Sequence, residues 1–235
     1  MSTILAMDTS SEGCSVAILQ DGAVSAKYLA APRQHTQLLL PMVDEMLSSA
    51  GLTLNQVDAI AYGRGPGSFT GLRICLGIAQ GLGFAAERQL VGVSSLETMA
   101  CEAVFRHRLP AGERLLVAID ARMDEVYWCV YQVTADGIES LSEETLSPPQ
   151  MVAEYLQDTP ALALKVGSGC HYQPLVGLES TVTDLVQQPK AEFMLGLAEA
   201  ALSRGETVAA EQARLTYLRD SVAWQKRERI RNTRD

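Results

Sequence analysis

Thr3-Ile4-Leu5-Ala6-Met7-Asp8 and Leu115-Leu116-Val117-Ala118-Ile119-Asp120 are one phrase written twice. Each is a short apolar run that reads as a buried strand and ends on an aspartate. After Asp8, Thr9-Ser10-Ser11-Glu12-Gly13 carries turn chemistry, residues 14–20 alternate as a second strand, Asp21-Gly22 marks a hairpin and residues 23–29 return as a third strand. After Asp120 the order repeats: a polar turn at 121–124, a β-rich run at 125–133, a hairpin signal at Asp136-Gly137 and a further strand opening at 138. The terminal aspartate precedes Asp-Gly by 13 residues in the first copy and 16 in the second. Duplication on this scale predicts two similar α/β domains facing each other across a cleft.

Between the copies lies Tyr62-Gly63-Arg64-Gly65-Pro66-Gly67-Ser68-Phe69-Thr70-Gly71-Leu72-Arg73. Residues 57–62 read as a buried strand and 74–86 as an apolar helix. Four glycines and a proline between them require a tight turn or a close approach. Such a turn can aim free N–H groups and the positive end of a helix dipole at an anion. A purely structural turn is the alternative. The loop misses the dinucleotide fingerprint by one residue, lacks the Lys of a phosphate loop, and has Pro66 where a nucleophile elbow needs Gly.

With 235 residues, 47% hydrophobic and 20% charged, the chain has globular composition. A formal charge of −9 argues against a surface that grips nucleic acid over its whole extent. Cys14, Cys75, Cys101, Cys129 and Cys170 are widely spaced and include no Cys-x-x-Cys pair, which fits reduced thiols. The start of the chain does not read as a signal peptide, and the longest apolar run, 74–86, falls short of a bilayer span. The expected location is the cytoplasm.

Residues 35–50 form a helix with Leu38, Leu39, Met42, Val43, Met46, Leu47 and Ala50 in two adjacent apolar stripes, with Pro41 in its first turn or at a bend. Both stripes can be core, or one can serve a partner. Gly77, Gly81 and Gly83 with Ala79 give small residues at spacings of four in the next helix, which lets another backbone approach. A third helix spans 94–105, capped by Ser94 or Ser95. The polar segment 106–112 is the best domain boundary. Helices follow at 149–156 and 191–202, a strand at 162–166, and a basic tail at 226–235.

Asp8 and Asp120, with Thr9, Gly65 and Gly67, are the candidates for contact with a nucleotide phosphate or its Mg²⁺. Each Asp can equally cap its own turn. His35, His107 and His171 sit at no metal-ligand spacing, so no metal site is expected.

Ile4-Leu5-Ala6-Met7-Asp8-Thr9-Ser10, His35-Thr36-Gln37, the 63–73 loop, Ile119-Asp120-Ala121-Arg122-Met123-Asp124-Glu125-Val126-Tyr127-Trp128 and Tyr217-Leu218-Arg219 together resemble the TsaB (YeaZ) family over essentially the whole chain. The resemblance implies the actin/hexokinase/Hsp70-like (ASKHA) fold with two duplicated ββαβα-type domains: residues 1–108, a smaller domain at 109–205, and a segment 206–235 returning to the first. It implies a role in making N6-threonylcarbamoyladenosine (t6A) at position 37 of tRNAs reading codons that begin with A. The relative TsaD carries a Val-His-His-Met-Glu-Gly-His metal motif; the matching run here is Val93-Ser94-Ser95-Leu96-Glu97-Thr98-Met99. Ser95 and Met99 stand at the ligand positions, so the resemblance implies a non-catalytic partner of TsaD, working with TsaE and TsaC. It further implies a homodimer when isolated, tRNA contact only within the complex, no cofactor of its own, and at most weak ATP or ADP at a shared interface. Leu39, Met42, Met46, Gly77 and Gly81 are the partner-interface candidates that follow. The alternative from another class is an independent ATP-dependent phosphotransferase, or a glycoprotease-like peptidase, using the cleft.

Overall fold

The computed structural model describes residues 2–157, 159–183 and 185–219. The basic tail at 226–235 lies outside them. Strands β1 (Ile4–Asp8), β2 (Gly13–Gln20) and β3 (Ala23–Ala30) form a meander, followed by helix α1 (His35–Ser49), β4 (Ala59–Gly65), α2 (Phe69–Ala86), β5 (Gln89–Ser94) and α3 (Ser95–His107). The second half repeats the plan with β6 (Arg114–Arg122), β7 (Glu125–Val133), β8 (Ile138–Ser140), β9 (Thr145–Ser147), α4 (Pro149–Gln157), β10 (Leu164–Val166), α5 (Gln173–Val176), β11 (Thr181–Thr183) and α6 (Leu195–Ser203).

Among the described residues the first sheet runs β3-β2-β1-β4-β5, and the second β8-β7-β6-β10-β11 with β9 also on β7. The two orders are the same. β1 is antiparallel to β2 and parallel to β4, as β6 is to β7 and β10. The duplicated ASKHA-like α/β architecture is therefore present in strand order and direction. Asp8 ends the central strand of the first sheet, and Asp120 lies two residues before the end of the central strand of the second.

Which helix covers which sheet does not follow the halves of the chain. Leu96, Met99, Ala100 and Ala103 of α3 pack with Leu115, Val117, Cys129 and Leu164 of the second sheet. Leu195, Ala198 and Ala201 of α6 pack with Ile4, Ala6, Ala17, Ala61 and Val93 of the first. A domain running from 109 to 205 therefore cuts α6 from the sheet it buries; the chain returns to the first unit at Ala191. The exchange is fastened by Glu102 of α3, a fully buried carboxylate that accepts hydrogen bonds from Arg106 Nε (2.6 Å) and from Nζ of Lys190, just ahead of α6. Lys190→Ala leaves this carboxylate with Arg106 alone, and an unfolding titration should show a loss of about 2 kcal/mol, less than for a pair broken completely.

Two expectations about helices change. Leu39, Met42 and Met46 of α1 are 0%, 3% and 8% exposed and belong to the core against β1, β2 and β4. An Asp at any of them breaks the fold before it tests a contact. Pro41 lies inside the helix, in its second turn. Helix α2 begins at Phe69 rather than 74, because Ser68 caps it by accepting from the Gly71 N–H. Its 18 residues have the length and hydropathy to cross a bilayer; here Leu72, Cys75, Ala79 and Gly83 are buried and the helix serves as a layer of the first unit.

Candidate functional site

The glycine-rich segment is mostly regular structure. Gly63 and Gly65 lie in β4 and Gly71 in α2, so only Pro66-Gly67-Ser68 forms the turn. Each glycine is explained by what a Cβ would strike. At Gly63 it would lie 1.9 Å from Asp8 Oδ2, at Gly67 2.4 Å from the Ser10 carbonyl oxygen, and at Gly71 1.9 Å from the Thr9 carbonyl oxygen. At Gly65, which has φ +102°, it would lie 3.1 Å from the Thr216 carbonyl oxygen. The protein's own atoms occupy the space that these glycines leave: the Asp8 carboxylate at Gly63 and main-chain carbonyls at Gly65, Gly67 and Gly71. The Ser68 N–H donates to the Ser10 carbonyl (2.7 Å) and Thr9 Oγ1 donates to the Gly71 carbonyl (2.8 Å). The turn after β1 is thus clasped to the start of α2.

Asp8 is the buried centre of this clasp, 1% exposed. Its Oδ1 accepts from the Ser10 N–H and the Ser10 hydroxyl, both at 2.9 Å. Ser95 Oγ, at the first turn of α3, donates to Ser10 Oγ at 3.1 Å. Oδ2 has no hydrogen-bond partner among the described residues. Burial pushes the Asp8 carboxyl up to about 7, against the pull of the two Ser10 hydrogen bonds. Burial, with a smaller push from Asp8, also raises the Cys14 thiol to about 11. All five cysteines are free thiols.

Asp120 has the same place in its sheet and different surroundings. Its Oδ1 accepts from the Arg122 N–H (2.8 Å) and Tyr172 Oη (3.0 Å), and Oδ2 lies 3.3 Å from Arg122 Nη1. It closes its own hairpin, where Arg122, Met123 and Asp124 all have positive φ. Among the described residues no hydrogen bond or ion pair joins it to Asp8. Of the positions aligned with the paralogue's metal motif, Ser95 is tied to Ser10, and Met99 is fully buried in the second core. No group of three or more His, Cys, Asp or Glu that could hold a metal occurs among the described residues.

Gly77 and Gly81 face outward, with nothing within 4 Å of an added Cβ. Alongside them on α2 stand Phe69 and Phe84, 52% and 79% exposed. The Arg73 guanidinium lies 3.5 Å above the Phe69 ring, and Arg73 Nε donates to Tyr217 Oη (3.2 Å). A helix started at 74 leaves out Phe69, and it contains Phe84 without showing which face of the helix is exposed. Helical spacing carried from Ser68 onward would have placed Phe69, Arg73, Gly77, Gly81 and Phe84 together.

Comparison with known proteins gives a consistent picture. Residues 29–215 match the family model described as TsaD, tRNA N6-adenosine threonylcarbamoyltransferase. The chain is 47% identical over 227 residues to the Escherichia coli tRNA threonylcarbamoyladenosine biosynthesis protein TsaB, covering 95% of this chain and 97% of that one. It is 41% identical over 236 residues to the Haemophilus influenzae protein of the same name, covering 95% and 96%. The solved structure described as YeaZ from Pseudomonas aeruginosa superposes with a TM-score of 0.85 at 45% identity, over 93% of this chain and all of that one.

Proposed function

Because this chain belongs to the TsaB (YeaZ) family, we propose that it works in tRNA t6A biosynthesis as a non-catalytic subunit that docks a TsaD-type transferase through the outer face of α2. The observation carrying this reading is the strip of Phe69, Gly77, Gly81 and Phe84, where two exposed aromatic rings flank bare glycine backbone. Large exposed apolar groups beside small residues suit close helix-to-helix docking. On α1 the exposed apolar residue is Leu40, while Leu39, Met42 and Met46 are buried. TsaE and TsaC complete the proposed pathway, tRNA is met within the complex, and a second copy takes the same face when the chain is alone. The cytoplasm is the proposed location. Closure of the Gly63–Gly71 segment by Asp8, Thr9 and Ser10 supports a subunit without a nucleotide of its own, ATP or ADP being held at a shared interface.

The test is reconstitution with cognate TsaD, TsaE, TsaC, tRNA, threonine, bicarbonate and ATP, using the wild type, Gly77→Leu and Phe84→Asp. Both positions are exposed, so both variants should keep the wild-type circular dichroism; Phe84→Asp should melt close to the wild type and Gly77→Leu somewhat above it, because it removes a helical glycine. Each should weaken TsaD binding about tenfold or more, with a matching loss of modified adenosine. Product formed equally well without this chain sinks the reading, and ATP turnover by the chain alone would support a phosphotransferase at Asp8.

A further inference from the structure

Residues 214–219 leave the first unit and end on the second. The main chain of Arg214 is held by Tyr62 Oη, which donates to its carbonyl (2.8 Å) and accepts from its N–H (3.1 Å). The Thr216 N–H donates to the Arg64 carbonyl (2.8 Å), and Arg64 Nη1 donates to Thr216 Oγ1 (2.7 Å). Tyr217 then lies 5.9 Å from the Phe69 ring and accepts from Arg73. Two residues on, Arg219 reaches the other sheet: Nη2 donates to the Ala121 carbonyl (3.1 Å) and Nη1 pairs with Glu125. These partners lie in the β6–β7 hairpin, beside Asp120. The strap is thus anchored to β4 and α2 at one end and to the second sheet at the other.

The chain itself crosses between the units at 108–113, and again before Ala191 where Lys190 meets Glu102. The strap is a further connection, held to the first unit by main-chain and side-chain hydrogen bonds and to the second by the Arg219 side chain. We infer that residues 214–219 are a latch: Tyr217 on Phe69 and Arg73 of α2, and Arg219 on the β6–β7 hairpin, jointly set the angle between the two units. A change at the α2 surface is thereby transmitted to the second sheet. The packing of α3 and α6 lets the units remain folded when the latch opens, since neither core contains Tyr217 or Arg219. This is a two-position element whose balance either anchor shifts.

The inference is tested on the isolated chain by double electron–electron resonance. Spin labels go at Ser49→Cys and Glu139→Cys, exposed positions on the two units, in a Cys101→Ser background. The wild type should give one narrow distance distribution. Arg219→Ala and Tyr217→Ala should each broaden it about twofold, and the double variant should broaden it no further, because either change opens the same latch. Arg219→Lys keeps the charge opposite Glu125 but cannot also hold the Ala121 carbonyl, and should fall between; it carries the test if the alanine variant melts. Lys27→Ala, which removes an ion pair within the first unit, should leave the distribution unchanged. Unchanged distributions in the Arg219 and Tyr217 variants overturn the inference. Additive broadening overturns it too, since the anchors would then act separately.

Discussion

Gly71→Ala is expected to lower the unfolding midpoint by about 6 to 12 °C, a loss of about 3 kcal/mol in a chain of this size. The added methyl would lie 1.9 Å from the Thr9 carbonyl oxygen, a backbone atom. Moving that carbonyl disturbs the turn whose Thr9 hydroxyl donates to Gly71 and whose Ser10 carbonyl receives the Ser68 N–H. Overpacking of a closed backbone contact sits at the costly end of its usual range. Gly77→Ala is the control from the same helix. It meets nothing within 4 Å and gains helix propensity, so the isolated protein should be stabilised by up to about 1 kcal/mol. If Gly71→Ala unfolds with the wild-type curve, the clasp between β1 and α2 is wrongly described.

The second large effect is a pH dependence set by Asp8. Its carboxyl titrates near 7 in the folded protein against 3.8 in an ordinary carboxylate. The folded state therefore holds a proton that the unfolded chain has already lost between pH 4 and 7. Stability from this group is fully present below about pH 4, falls as pH rises to about 7, and levels off above. The fall is about 4 kcal/mol, on the order of three pKa units. Asp8→Asn has no proton to lose. Relative to the wild type it should gain about 4 kcal/mol between pH 4 and 8, whatever constant offset its amide introduces beside Gly63. Urea unfolding of both proteins at intervals across that range checks this. A difference that stays flat with pH means that Asp8 is already ionised at pH 4 in the folded protein, and that its burial is relieved in some other way.

Much of the fold was legible because it rests on local chemistry. Period-two and continuous apolar runs placed β1, β2, β3, β6 and β7, and Asp21-Gly22 and Asp136-Gly137 placed two hairpins. Ser94 marked the start of α3: its Oγ accepts from the Leu96 and Glu97 N–H groups. The candidate site was legible in position and not in character. The glycines require a tight turn or a close approach, but a glycine carries no mark of what approaches it. Here the occupant is the turn at Thr9 and Ser10, more than 50 residues away in sequence.

The α1 stripe shows the same limit. Leu39, Met42 and Met46 look alike whether they meet a sheet of their own chain or another protein, since the hydrophobic effect has no direction. Outward-facing Gly77 and Phe84 are distinguished from buried Gly71 and Leu72 only once the rotation of α2 on the sheet is known. By itself the sequence determined the repeated succession of strands and hairpins, an aspartate near the end of each copy's first strand, and kinship with the family, because these are written in short-range pattern. Only the tertiary structure decided that α3 and α6 exchange sheets, that Glu102 and Lys190 join them, and that Arg219 bridges the units. Those choices come from long-range packing and buried charge pairing, whose energies arise from contacts between residues that sequence spacing does not bring together.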